Sequence, residues 1–310
     1  ITKKYPKIDS DISWMSEPRD SKPKISAKMA APERVLPDKY LTSPTTVFGS
    51  AGHGDGKFQG PVAVAVVNNQ LHVADYVNKR VCVHDINGQH STSYNLSHGP
   101  LDIAVTADNN ILITHTGRGL LVCDVSGSVI QQIGRKGERE GEFNEPWGVA
   151  TDTAGQIYVC DHGNHRVQVM ERSGSVVRVI GASGEGKLTQ PWSVAIHPHT
   201  GDVYVTDAES VEIYTHDGRY KGHITSANIP GSSTFAPHYI SFRRDGLLCI
   251  SDKDSHCLHL LRDSVYIQRI GGEGAAPGQF SYPHGSVFTD AGDLVVCDYS
   301  NHRVQIFTSQ

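Results

Sequence analysis

The chain has 310 residues, 38% of them apolar, and its 28 basic and 33 acidic side chains give a net charge of -5. That is enough length and apolar content for a substantial core, while no apolar run reaches the ~18 residues of a membrane-spanning helix. No secretory signal pattern is present, so the chain reads as soluble and unprocessed. The acidic balance weakens a nucleic-acid reading without deciding it, because binding depends on a local face.

Residues 1–43 carry five prolines, nine Lys or Arg, six Asp or Glu, and no strand alternation. They are expected to be a linker, largely irregular, that follows an upstream domain; a chain starting at Ile1 fits a fragment of something longer. Residues 44–310 hold 19 basic and 27 acidic side chains, a net of -8, and read as one domain.

That domain is built from repeats. Pro61, Pro100, Pro146, Pro191, Pro237 and Pro283 recur at spacings of 39, 46, 45, 46 and 46 residues, each opening a short β-branched run. The third unit, Gly141-Glu142-Phe143 through Pro146 to Asp161 and Asn164-His165-Arg166-Val167, matches the sixth, Gly278-Gln279-Phe280 through Pro283 to Asp298 and Asn301-His302-Arg303-Val304. Within the third unit, apolar runs at 147–151, 156–160, 166–170 and 175–180 are separated by Gly, Asn and Asp turns at hairpin spacing. Six repeats of four antiparallel strands predict an all-β fold, a six-bladed β-propeller.

The ends predict how the ring closes. The last unit stops after its third strand, at 307–310, and Thr45-Thr46-Val47-Phe48-Gly49 resembles the fourth-strand endings Val179-Ile180-Gly181 and Arg269-Ile270-Gly271. The N-terminal strand is therefore expected to complete the last blade, removing a free sheet edge. Cys160 and Cys297 fall at equivalent positions of blades three and six, too far apart to bond, and Cys82, Cys123, Cys249 and Cys257 lie in or beside strand runs. Free thiols point to a reducing, cytoplasmic location.

The Asn-His-Arg cores at 164–166 and 301–303, with Asn78-Lys79-Arg80, make the chain resemble the NHL-repeat six-bladed propellers over 44–310. Units two, four and five lack the Asn-x-Arg, at His115–Gly119, Ala208–Glu212 and Lys253–Cys257. With the preceding linker, the chain is most similar to the C-terminal domain of TRIM-NHL proteins. That resemblance implies a parent protein of the RING-type ubiquitin ligase kind, whose propeller selects targets for ubiquitination or binds RNA.

In such a propeller the loop entering each inner strand and the loop joining the second and third strands emerge on one face, where a ligand is expected. The residues after the phasing prolines are Val62, Leu101, Trp147, Trp192, His238 and His284; Tyr76, His162 and Tyr299 follow the strand-end Asp. Lys79, Arg118, Arg135, Lys136, Arg139, His165, Lys253 and His302 surround them. Rings and Arg are the side chains that carry interface energy. Trp147 and Trp192 are equally readable as channel plugs, whereas Arg80, Arg166 and Arg303 read as partners of Asp75, Asp161 and Asp298 inside their loops. Tyr76 and Tyr299 read as loop-tip residues with no core to fill.

No nucleophile elbow, His-Glu-x-x-His helix or P-loop is present. His238 and His284 resemble the zinc-binding Pro-His positions of the NHL-type amidating lyases, but those use three histidines on alternate blades and this chain has two on adjacent ones. The sequence thus predicts a non-catalytic recognition propeller, with no catalytic residues, no metal and no cofactor, that binds a protein partner or ubiquitination substrate. Single-stranded RNA is the alternative, a zinc lyase a remote one, and neither DNA nor a membrane is expected as partner.

Overall fold

Strands 46–48 and 303–307 run antiparallel, with Thr46 opposite Ile306 and Phe48 opposite Val304. They lie beside 294–298 and 283–288 in one sheet, so the N-terminal strand closes the last blade. In the computed structural model, which describes residues 39–40, 42–117, 119–232 and 234–309, this sheet is one of six four-stranded sheets. The protein is an all-β six-bladed propeller.

Blade three shows the plan, with Pro146–Thr151 innermost, followed by Ile157–Asp161, Arg166–Met170 and Val176–Ile180. These bounds lie within a residue of the apolar runs, because apolar alternation and Gly-bearing turns specify the same hairpins. Both faces of each blade are covered by its neighbours, so the core is divided into inter-blade clusters. Tyr158, Cys160 and Val167 of blade three, for example, pack on Val194, Val203 and Val205 of blade four. The Phe of each Gly-x-Phe seals such a seam: Phe58, Phe143 and Phe280 are fully buried. Each lies under a left-handed glycine, Gly49, Gly134 or Gly271, where a Cβ would come within 2.3–2.5 Å of the ring.

The phasing prolines do more than start strands. In five blades the inner ladder shifts register just after the proline, between Pro61 and Ala63, Pro100 and Asp102, Pro146 and Val149, Pro237 and Tyr239, and Pro283 and Ser286. Such a bulge re-aims a side chain, here the one following the proline. Blade four differs, its inner strand beginning only at Val194.

All six cysteines are unpaired and buried. The expected linker lies almost wholly outside the described residues, but Tyr40 is built into the propeller. Its ring is fully buried, its hydroxyl donates to the Gly292 carbonyl at 2.5 Å and accepts from Arg243 at 3.0 Å, and its backbone bonds Gln268 at both N and O.

Candidate ligand-binding face

The six post-proline side chains meet at one mouth of the central channel. Val62, Leu101, Trp147, Trp192, His238 and His284 line a void of about 10 Å³, barely room for one water. The two halves of this mouth differ. Blades one and two contribute buried aliphatics, while blades three to six contribute a continuous arc of rings. Trp192 meets Trp147 edge-on at 4.8 Å and His162 at 4.3 Å. The arc continues from Trp192 to His238 at 4.8 Å, to His284 at 4.3 Å, and to Tyr299, stacked at 4.8 Å. Lys253 Nζ stands 5.2 Å from the Trp192 centroid, a cation–π geometry.

Burial keeps these imidazoles neutral at pH 7. It holds His238 well below the ordinary histidine range, with His284 and Lys253 adding to the effect, and it brings His284 down to about 4, with Lys253 again adding. The arc is therefore an aromatic surface whose fixed charge is the Lys253 ammonium. Its two adjacent imidazoles, His238 and His284, have Trp192 and Trp147 as neighbours. The three-histidine arrangement of the amidating lyases is not reproduced at this mouth among the described residues.

Tyr76 and Tyr299 are not free loop tips. Both are half-buried against the core between blades one and two. Tyr299 covers Gly60 and Tyr76 covers Gly99, where a Cβ would come within 2.7 and 2.9 Å of the respective rings. Each Tyr thus wedges into the seam with the following blade. The Gly preceding Pro61 and Pro100, absent before the other phasing prolines, was the sequence signal for this packing.

The Asn-x-Arg turns form an internal lattice. Arg80, Arg166 and Arg303 pair through Nε with Asp75, Asp161 and Asp298 at 3.0, 2.8 and 2.7 Å. Asn78, Asn164 and Asn301 donate to the same carboxylates at 2.7, 2.9 and 2.9 Å. The guanidinium groups also donate to carbonyls of the loop entering their own blade, including Lys57 O at 2.7 Å, Arg139 O at 2.7 Å and Ala275 O at 2.7 Å. These cations hold the loops that frame the face.

The intervening residues Lys79, His165 and His302 occupy the left-handed region, with φ of 54°, 56° and 55°. Lys79 and His165 are exposed there, and His302 is half-buried. His165 Nδ1 also contacts the Thr189 carbonyl of the next blade's entry loop. Lys136 and Arg139 are exposed, while Arg135 is bound to Glu142 at 2.9 Å. Arg118 lies outside the described residues. Below the ring layer, sequence reasoning missed a polar pair: Asp102 is fully buried and accepts from the Tyr239 hydroxyl at 2.7 Å. A single Asp inside an apolar run gave no signal of this partner 137 residues away.

The fold is a six-bladed propeller that contains NHL-type repeat units. The NHL repeat family matches residues 143–170 and 280–307, the two units in which Asn-His-Arg is intact. Among curated relatives, Protein brain tumor of Drosophila melanogaster is 33% identical over 94 residues, 29% of this chain and 9% of that protein. The E3 ubiquitin-protein ligase NHLRC1 of Rattus norvegicus is 32% identical over 101 residues, 32% of this chain and 24% of that protein. The matched stretches thus span a quarter or less of these relatives. A solved streptogramin B lyase shares the fold at a TM-score of 0.63, with 12% identity over 85% of this chain and 97% of that one.

Proposed function

We propose that this chain is the non-catalytic, partner-recruiting propeller of a TRIM-NHL type ubiquitin ligase, and that it binds a protein through the ring-bearing face. The observation that carries this reading is the arc from Trp147 to Tyr299, which spans blades three to six and carries Lys253 on Trp192. A packed aromatic centre with a charged rim is the anatomy of a protein-binding hot spot.

Charge on the loops favours a protein over RNA. Exposed Lys57, Lys79, Lys136, Arg139 and Lys187 alternate with exposed Asp55, Glu138, Glu140, Glu145 and Glu185, which does not make the single-sign track that follows a phosphate backbone. Residues 1–43 then link the propeller to the upstream ligase domains, and the six unpaired thiols suit a cytoplasmic protein.

Fluorescence polarisation against random single-stranded RNA, from low to physiological salt, together with capture from RNase-treated extract, tests the choice. A protein-binding propeller gives no RNA binding at low salt and captures its partner despite RNase. RNA binding with a steep salt dependence, and capture abolished by RNase, would transfer the face to RNA.

A further inference from the structure

Blade five has exchanged the lattice found in its neighbours for a different set of donor atoms. In blades three and six the strand-end Asp is met by residues three, five and seven positions on. Asn164, Arg166 and Gln168 all donate to Asp161 Oδ2, at 2.9, 2.8 and 3.0 Å. Asn301, Arg303 and Gln305 do the same to Asp298 Oδ2, at 2.9, 2.7 and 3.1 Å.

In blade five those offsets from Asp252 hold Ser255, Cys257 and His259. The backbone frame is kept, for Asp252 lies opposite Cys257 as Asp161 lies opposite Arg166. The chemistry is not: the guanidinium and the amide have become a thiol and an imidazole.

Three donor atoms now converge. His259 Nε2 lies 3.5 Å from Cys257 Sγ and 3.4 Å from Asp252 Oδ2, and all three atoms are within 4.8 Å of one another. The side chains are 2% exposed or less. Asp252 Oδ1 is occupied by the Ser255 N–H at 3.0 Å, which leaves Oδ2 facing the cluster. The nearby cation Arg269 donates to the Ser255 carbonyl at 3.1 Å and not to the carboxylate. A buried carboxylate that has lost its guanidinium calls for another positive charge.

We propose that Asp252 Oδ2, Cys257 Sγ and His259 Nε2 bind a zinc ion that stands where the Arg of an Asn-x-Arg turn stands in other blades. Zinc takes S, N and O ligands at about 2.3, 2.0 and 2.1 Å in a tetrahedron, whose edges are then about 3.3–3.6 Å. The Nε2 distances already match those edges, and the Sγ–Oδ2 side, which is within 4.8 Å, would shorten to such an edge on binding. Binding forms a zinc–sulfur bond and releases the thiol proton to solvent. His259 Nδ1, which has no partner among the described residues, carries the imidazole proton, and water takes the fourth position.

The test is zinc titration of the chelator-treated full chain against a chromogenic competitor, followed by cobalt substitution. One equivalent of metal, with a thiolate-to-cobalt charge-transfer band, is expected. Loss of a direct ligand in Cys257→Ser or His259→Gln should weaken zinc by more than the 10–100-fold that outer-shell changes cost. The double variant Cys257→Arg/His259→Gln restores the Arg and Gln donors of blades three and six, with Ser255 kept at the Asn offset, so it should melt as a folded protein and bind no zinc. Absence of stoichiometric zinc in the folded parent chain, or zinc that persists in this folded double variant, would overturn the assignment.

Discussion

The Tyr239 hydroxyl donates to Asp102 Oδ1 at 2.7 Å, tying blade five to blade two, which faces it across a six-membered ring. The other carboxylate oxygen accepts from the Val149 N–H of blade three at 2.8 Å. Three blades therefore converge on one fully buried acid. Burial lifts Asp102 to about 7, against the lowering effect of the Val149, Tyr239 and Ile103 hydrogen bonds.

The consequence for stability has a definite sign. A carboxyl near 4 when unfolded and about 7 when folded binds its proton more tightly in the native state. Its contribution is complete below pH ~4 and is lost as pH rises toward 7, at up to about 1.4 kcal/mol per pH unit. The stability difference between parent and Asp102→Asn should therefore change across pH 4–7 and level off above it, as read from denaturant midpoints. Tyr239→Phe should cost more at pH 8, on the order of 1–3 kcal/mol, than at pH 5. Equal costs at both values would contradict an acid that titrates in the channel.

Ion pairs at the turns should divide by burial. Arg166→Leu or Arg303→Leu leaves a fully buried carboxylate without its cation and should destabilise by about 3–5 kcal/mol. Arg135→Ala, whose side chain is 78% exposed in its pair with Glu142, should leave the melting temperature unchanged.

Ring closure makes a separate prediction. Deleting residues 1–48 removes the strand paired to 303–307 and opens that edge to other chains. A lowered melting temperature and concentration-dependent association in light scattering are expected; an unchanged monomer would show that the closing strand is dispensable.

The parts of this structure that were legible in the sequence are those under a repeated constraint. The prolines placed Trp147, Trp192, His238 and His284 at one mouth because each heads an inner strand, directly in blades three, five and six and three residues ahead of it in blade four. Thr45–Gly49 announced the closing strand because it copies other fourth-strand endings. Tyr40 escaped because its bonds run to Gln268, Gly292 and Arg243, far along the chain and outside any repeat. Asp102 escaped for the same reason. The blade-five cluster was visible in principle: Lys253–Cys257 read only as a lost Asn-x-Arg until Asp252 was counted forward by three, five and seven.

The arc itself predicts that contact energy centres on Trp192. Trp192→Ala/Lys253→Glu alters two half-buried residues at the mouth and should weaken partner binding by 2 kcal/mol or more, about thirty-fold. Circular dichroism should remain that of a folded propeller.

The most direct measurement is quantitative mass spectrometry of proteins captured from RNase-treated extract by three immobilised chains: the parent, Trp192→Ala/Lys253→Glu, and an opposite-face control with His199→Ala in the hairpin of blade four. A partner held by the parent and the control but lost from the ring-face variant is the predicted result. A partner retained equally by all three, or lost only with His199, would contradict recognition through the ring-bearing face.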